Sequence, residues 1–204
     1  MITIVDYGLG NIAAFLNMYK RMNIPAHAVK TAEDLAAAER IVLPGVGAFD
    51  HAMDLLDESG MRPTLERMVC EGKVPVLGIC VGMQILTTSS DEGTREGLGW
   101  IPGRTRNFAL RNAASADLPL PHMGWNDVTP EGGRRLFEGL EDPRFYFLHS
   151  FYVDPEDPQH RAARAEYGFD FACAIHRDNV WGVQFHPEKS HHFGAAVLKN
   201  FAEL

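Results

Sequence analysis

One cysteine lies between two glycines in the segment 78–82, which reads GICVG. The form G-x-nucleophile-x-G directly after the apolar run 74–77 is typical of a nucleophile elbow, a tight turn that joins a strand to a helix. Glycines suit this turn because side chains beside the nucleophile would crowd it, and the dipole of the following helix favours a thiolate. We therefore predict that Cys80 is a nucleophile and that the backbone N–H of Val81 helps to bind an oxyanion. The alternative is a small buried cysteine in a tight turn.

A candidate base lies near the C-terminus, where His186 follows the apolar run 183–185 and Glu188 comes two residues later. Alternation along an extended backbone places both side chains on one side. A carboxylate in that position orients the imidazole and stabilises its charged form, which would complete a Cys–His–Glu triad. On its own, His-Pro-Glu is more typical of an ordinary surface turn. The order of histidine before acid disfavours a plain α/β-hydrolase.

A second glycine-rich turn follows the apolar strand that ends near residue 43, in the segment LPGVGAF. Gly45 and Gly47, on either side of Val46, allow a backbone N–H to turn toward a neighbouring site. Parallel strands that lie side by side would bring this turn close to the elbow at their carboxyl ends, where α/β sheets bind ligands. The turn is a candidate second half of an oxyanion hole, or simply a connection from strand to helix.

Two motifs resemble a metal site and a cofactor site but lack residues that such sites require. The H-x-E form of residues 186–188 occurs in zinc deaminases, but these require a downstream P-C-x-x-C, and no cysteine follows Cys173. The segment 8–13 matches the dinucleotide form G-x-G-x-x-A. Asp6 and Tyr7 separate it from the strand, however, and no acidic residue ends the second strand. We therefore expect no metal and no cofactor.

The first half of the chain alternates strand and helix patterns, which predicts a mainly parallel sheet with helices on both faces. The predicted strands are Ile2–Val5, Ile24–Val29, Arg40–Leu43 and Val74–Ile79, and the predicted helices are Ile12–Met22, Ala48–Leu56, Pro63–Cys70 and Val81–Thr88.

The second half contains short runs separated by Gly, Pro and Asp, which predicts antiparallel strands and turns. These runs are Leu98–Phe108, Asp127–Thr129, Phe145–Val153, Arg161–Tyr167, Phe171–His176 and Val180–Phe185, with a last helix over Phe193–Glu203. No repeat or linker interrupts the pattern, so residues 1–204 are expected to form a single α/β domain.

Composition excludes several functional classes. The 204 residues carry a formal charge of −8 and no cluster of Lys and Arg, which argues against a nucleic-acid partner. No apolar run approaches the length of a membrane span, and the first residues lack the features of a signal peptide. Three cysteines without a CxxC pair fit a reducing compartment. We expect a cytoplasmic protein that does not bind membranes.

The motifs GICVGMQ, PGVGAF and FHPEKS, in this order, are similar to those of the class I (triad-type) glutamine amidotransferases. The resemblance extends over nearly the whole chain and implies their three-layer α/β fold. It implies that Cys80 attacks the side-chain amide of L-glutamine, that His186 is the general acid and base, and that Glu188 orients it. It also implies that Val81 and the turn Gly45–Gly47 bind the oxyanion. The residues implied to bind the rest of the substrate are Gln84, His149 and Ser150.

The segments VDYGLGN, PHMGWN and FYFLHSFY resemble, within that family, the glutaminase subunits that serve a cyclase of histidine biosynthesis. This resemblance implies a heterodimer with a (β/α)₈-barrel cyclase subunit that receives ammonia through an internal channel. The loop with Asn11 and the segment with Met123 and Trp125 would face this partner. Met and Trp are common in the cores of interfaces, although Met123 could equally belong to the protein core.

Some residues depart from that pattern. Phe151 stands where tyrosine is more usual, Val183 replaces a commoner threonine, and KSHHFG is an unusual continuation. These departures favour a paralogue that supplies ammonia for amidino-sugar synthesis on surface polysaccharides. Two further alternatives are a catalytically idle subunit that supports its partner and a cysteine peptidase or acyl hydrolase on a similar fold.

Overall fold

The computed structural model describes residues 1–111, 118–131 and 135–204. The strands are, in chain order, β1 Ile2–Val5, β2 Ala26–Val29, β3 Arg40–Gly45, β4 Val76–Cys80, β5 Ser89–Ser90, β6 Gly103–Asn107, β7 His122–Asp127, β8 Thr129–Pro130, β9 Arg144–His149, β10 Phe151–Pro155, β11 Arg161–Glu166, β12 Asp170–Arg177 and β13 Val180–Val183. The α-helices are α1 Ile12–Arg21, α2 Ala32–Leu35, α3 Phe49–Glu58, α4 Arg62–Glu66, α5 Val81–Gln84 and α6 His191–Glu203.

Within the described residues, eleven strands form one mixed sheet whose main path runs β2-β1-β3-β4-β13-β12-β10-β6-β5. The neighbours from β2 to β13 are parallel, and β12, β10 and β6 continue the sheet in antiparallel pairs. Strands β7 and β9 form a separate antiparallel pair. The predicted α/β fold, parallel in its first half and antiparallel in its second, is confirmed.

Strand β13 is the point where the two halves meet. It comes late in the chain, yet it pairs in parallel with β4 on one side and antiparallel with β12 on the other. All residues of β1, β4 and β13 are buried, as expected for strands covered on both faces. The position of β13 carries the segment that follows it to the end of β4, beside Cys80.

One set of backbone hydrogen bonds explains two errors in the predicted elements. The carbonyls of residues 85–87 accept hydrogen bonds from the backbone N–H groups of Leu98, Ile101 and Gly99, respectively. Helix α5 therefore ends at Gln84 and not at residue 88, because these carbonyls are committed to the segment 98–101. For the same reason the strand predicted from residue 98 begins only at residue 103.

Other bounds also differ from the predictions. The helix predicted over residues 63–70 is α4 followed by a π-helical turn over Arg67–Glu71. The segment 122–127, for which no strand was predicted, forms β7 because its backbone pairs with β9 along its whole length. This pairing could not be read from the segment itself, since its apolar residues are few.

We predict that Gly82→Ala lowers the free energy of unfolding by about 3 kcal/mol, because a Cβ at this position would collide with the backbone carbonyl of Leu43. The measurement is urea unfolding followed by circular dichroism. Gly99→Ala is the control: its φ of +66° strains a side chain, but no heavy atom lies within 4 Å of the added Cβ. We expect this control to lose only about 1 kcal/mol. Equal losses in the two variants would contradict the steric explanation.

Candidate active site

The carboxyl ends of three adjacent parallel strands assemble the site. In the register of β3 and β4, Gly45 lies opposite Cys80, and in that of β13 and β4, Val183 lies opposite Ile79. The turn after β3 therefore lies on one side of the cysteine, and the segment 184–186 lies on the other. The sheet brings together the three motifs that the sequence analysis singled out.

Cys80 occupies a strained turn and is almost completely buried. Its φ of 57° and ψ of −115° lie outside the regions that L-residues normally populate. A Cβ at Gly78 would collide with the carbonyl of Gly82, and a Cβ at Gly45 would lie 2.5 Å from the backbone nitrogen of Gly82. Gly45 is thus a packing residue that lets the two turns approach, and it does not line the cavity beside the thiol.

His186 and Glu188 form a buried pair next to this turn. The Nδ1 atom of His186 lies 2.8 Å from Oε1 of Glu188, and both side chains are less than a tenth exposed. The backbone of His186 is held from two directions: its N–H donates to the carbonyl of Tyr146 at 2.9 Å, and its carbonyl accepts from Ser190 Oγ at 2.6 Å. The imidazole is therefore fixed by both its side-chain and its backbone partners.

The charge state of His186 follows from competing influences. Burial lowers the pKa of the imidazole, but Cys80 and Glu188 together outweigh burial and raise the pKa of His186 to about 9. The ring is therefore protonated at neutral pH. Among the described residues, Nε2 of His186 has no hydrogen-bond partner. An imidazolium in this position can give a proton to a leaving group, and the neutral ring that results can take a proton from water.

A cavity of about 240 Å³ opens at this point, a volume suited to one small molecule. Its lining includes the triad residues Cys80 and His186 and all the predicted binding residues except Gly45, namely Val46, Gly47, Val81, Gln84, His149 and Ser150. Two of the larger cavities, of about 620 and 780 Å³, lie by Lys73 and Asn179, at the amino-terminal ends of β4 and β13. They contain none of the candidate residues.

Glu92 also lines the cavity, and the sequence analysis missed it. Its Oε2 accepts a hydrogen bond of 2.8 Å from the backbone N–H of Phe49, at the start of α3. The position is fixed by a contact between distant parts of the chain, so no local pattern in the sequence marks it. The carboxylate gives the cavity a negative charge that suits an ammonium group.

His149 was predicted to bind substrate, but both of its ring nitrogens are occupied. Nδ1 lies 2.7 Å from the carbonyl of Phe151, and Nε2 lies 3.0 Å from Nδ1 of His122. A carbonyl can only accept, so Nδ1 of His149 carries the hydrogen and Nε2 accepts from His122. Nε2 of His122 in turn lies 3.3 Å from the amide nitrogen of Asn126. The ring thus supports the cavity wall, and Ser150 remains the polar side chain of this segment that can face a ligand.

The electrostatics of the two histidines agree with this arrangement. Burial lowers the pKa of His122 to about 4. Burial also lowers the pKa of His149 to about 3, against an opposing effect of the Phe151 carbonyl. Both rings are neutral at pH 7, as a chain of hydrogen bonds with one proton per ring requires.

The predicted interface residues do not line the cavity. Met123 and Trp125 are 65% and 43% exposed on the outer face of β7, whereas His122 and Asn126 point inward. The indole of Trp125 stacks on His191 with ring centroids 5.3 Å apart. Asn11 is exposed and caps α1, since its Oδ1 accepts from the backbone N–H of Ala14 at 3.1 Å.

In residues 1–111, 118–131 and 135–204, no group of three or more His, Cys, Asp or Glu side chains is arranged to hold a metal ion. Over the same residues, no helix is long and apolar enough to cross a membrane.

We predict that His122→Asn makes stability less dependent on pH in the acidic range. The folded pKa of His122 is lowered from its ordinary 6.5 to about 4, so the unfolded chain takes up a proton that the folded chain refuses as pH falls through this window. This difference costs about 2 kcal/mol between pH 7 and pH 4 in the unaltered protein, and the variant escapes it. Urea unfolding at pH 7, 5.5 and 4 measures the two slopes. Equal slopes would mean that His122 is not a neutral buried ring.

Comparison with known proteins places the whole chain in one family. Residues 3–204 match the family model described as "Glutamine amidotransferase class-I". The imidazole glycerol phosphate synthase subunit HisH of Bdellovibrio bacteriovorus is 60% identical over 206 residues, which cover 100% of both chains. The protein of the same name from Leptospira interrogans is 51% identical over 205 residues, again with 100% of both chains covered.

Solved structures agree on the fold at low sequence identity. A crystal structure of a glutamine amidotransferase superposes with a TM-score of 0.76 at 18% identity and covers 100% of this chain and 99% of its own. The structure of PurLQS from Thermotoga maritima gives a TM-score of 0.73 at 18% identity, with 99% and 97% of the chains covered. The match of the family model over residues 3–204 and the identity to full-length relatives lead to one conclusion: this chain belongs to the class I glutamine amidotransferase family.

Proposed function

We propose that this chain is the single-domain glutaminase subunit of an imidazole glycerol phosphate synthase, which hydrolyses L-glutamine and delivers ammonia to a cyclase subunit. The observation that carries the proposal is the strained Cys80 beside the buried His186–Glu188 pair, at the mouth of a cavity sized for one small molecule. The full-length identity to subunits named HisH supports the choice of pathway.

The proposed reaction uses Cys80 and His186 in two steps. The thiolate of Cys80 attacks the side-chain carbonyl carbon of glutamine, and the imidazolium of His186 protonates the amide nitrogen, which leaves as ammonia. His186 then takes a proton from water, and the hydroxide attacks the thioester to release glutamate and the thiolate. Glu188 keeps the imidazole oriented and stabilises its positive charge in both steps.

Other cavity residues would bind the substrate around this centre. The backbone N–H groups of Val81 and of the turn Val46–Gly47 are our candidates for the oxyanion hole, because both segments border the cavity beside Cys80. Glu92 offers a carboxylate to the α-ammonium of glutamine. Gln84 and Ser150 offer hydrogen bonds to the α-amino and α-carboxylate groups of glutamine, the role that the sequence analysis also gave to His149.

The partner in this proposal is a (β/α)₈-barrel cyclase, which would use the ammonia to make imidazole glycerol phosphate and an aminoimidazole carboxamide nucleotide. The outer face of β7 supports such an interface, since Met123 and Trp125 are large, apolar and exposed. Asn11 is placed in the same interface from the sequence pattern alone. Three free cysteines support a location in the cytoplasm. The amidino-sugar alternative finds no support among the relatives described above.

The glutaminase activity is tested by the release of glutamate from glutamine by the chain mixed with a histidine-pathway cyclase. We expect Cys80→Ala to reduce this release at least a thousandfold, because no other described residue of the cavity offers a thiol. Cys70→Ala is the matched control, since this exposed cysteine lies far from the cavity, and we expect full activity. Turnover that survives in Cys80→Ala, or that requires an amidino-sugar cyclase, would contradict the proposal.

The partner surface is tested by titrating the same cyclase against the chain and its variants by calorimetry. We predict that Trp125→Ala weakens the affinity at least tenfold, because an exposed tryptophan in an interface core commonly contributes 2 kcal/mol or more, roughly a thirtyfold change. Leu110→Ala is the control, as Leu110 is 74% exposed and lies outside β7. Equal affinities of the Trp125 variant and the unaltered chain would remove β7 from the interface.

A further inference from the structure

Gln184 connects the thiol to a substrate-binding residue, and no sequence pattern considered above assigned it a role. It follows β13 directly and its side chain is completely buried. Its Nε2 lies 3.7 Å from Sγ of Cys80, and its Oε1 lies 3.1 Å from Nε2 of Gln84. Its backbone N–H donates to the carbonyl of Cys173 at 2.8 Å, which anchors the residue to the sheet.

The direction of each amide follows from a carbonyl at the end of this path. Nε2 of Gln84 lies 3.5 Å from the carbonyl of Phe151, a long contact but one in which the oxygen can only accept. Gln84 must therefore turn its NH₂ group toward Phe151 and Gln184. Because that group also faces Oε1 of Gln184, the NH₂ group of Gln184 is left to face the sulfur. Three contacts thus connect the carbonyl of Phe151 with Sγ of Cys80 through the side-chain amides of Gln84 and Gln184.

This arrangement has two consequences for the site. The sulfur receives an N–H donor from a completely buried residue that the sheet anchors, which favours the thiolate and restricts the position of Sγ. The amide of Gln84, held by its nitrogen, is left with its oxygen free to accept from a ligand in the cavity. We propose that Gln184 is a positioning residue that holds the sulfur of Cys80 and the amide of Gln84 in the orientations that glutamine hydrolysis needs.

The spacing of Gln184 from the triad agrees with this role. Gln184 and His186 follow β13 directly, and a 3₁₀ turn over Pro187–Lys189 brings the carboxylate of Glu188 to within 2.8 Å of the imidazole of His186. The same strand end thus supplies the sulfur with a neutral donor, an imidazolium and the carboxylate that orients it.

The test is the rate of Cys80 alkylation by iodoacetamide between pH 6 and 9, measured on the full chain by mass spectrometry of the peptide that contains Cys80. Gln184→Met has a similar volume and no donor, so we expect alkylation at pH 7 to slow about tenfold, the effect of one hydrogen bond to a charged group. Leu148→Met is the control for changes in cavity shape, since Leu148 lines the same cavity but forms no hydrogen bond to Cys80 or Gln184, and we expect a change of less than about twofold.

Gln184→Glu separates hydrogen bonding from packing. A protonated carboxyl has the shape of the amide and can donate to sulfur, whereas a carboxylate cannot. Complete burial at position 184 raises the pKa of a carboxyl well above its ordinary value. We therefore expect its alkylation rate, divided by that of the unaltered protein, to be near one at pH 6 and to fall progressively toward pH 9. A flat ratio, or a Gln184→Met variant that alkylates at the original rate, would overturn the proposal.

A second readout rests on the proposed glutaminase function. With the cyclase present, both Gln184→Met and Gln84→Met should raise the KM for glutamine about tenfold, but only Gln184→Met should also lower kcat. The alkylation rates require no turnover of glutamine. A failure of the proposed function would therefore leave the role of Gln184 at the sulfur testable, and a normal alkylation rate would reject that role even in an active enzyme.

Discussion

The close contact of two backbone turns is the constraint on which the rest of the site depends. The elbow after β4 and the turn after β3 pack with their main chains in contact, because Gly45, Gly78 and Gly82 have no side chains to keep them apart. This contact holds Cys80 in a positive-φ conformation that a free chain would avoid. The sulfur, the oxyanion donors and the base then lie within one small cavity, since each follows the end of a neighbouring parallel strand.

The buried histidines of this site differ in charge. His186 is buried and protonated, because Glu188 and Cys80 compensate the cost of burying its charge. His122 and His149 are buried and neutral, because burial lowers the pKa of each ring, and the charge of His186 lowers the pKa of His149 further. The wall beside the charged groups His186, Glu188 and Glu92 is thus held by neutral hydrogen bonds with fixed directions.

Local patterns in the sequence predicted the features that depend on neighbours along the chain. The elbow glycines directly follow their strand, and His186 lies two residues from Glu188. The extended backbone predicted for that pair was wrong, because a 3₁₀ turn over Pro187–Lys189 brings the two side chains together. Features set by distant contacts were missed. Helix α5 ends early because the segment 98–101 donates hydrogen bonds to the carbonyls of residues 85–87. Glu92 is held at the cavity by a hydrogen bond from the backbone N–H of Phe49. Gln184 was overlooked because its partners lie about a hundred residues away in the chain.

The carbonyl of Phe151 joins the two hydrogen-bonded paths of the site. It accepts from His149, at the end of the path from β7, and from Gln84, on the path to Cys80. Because a backbone carbonyl does this, both paths are independent of the side chain at position 151. Strand β7 thus has one face whose exposed Met123 and Trp125 suit a partner, and another whose His122 and Asn126 brace the wall of the cavity. A partner bound to the outer face would therefore contact strand β7 itself. The inner face of that strand is connected to Gln84 by four neutral hydrogen bonds, which fix the position of Gln84 in the cavity.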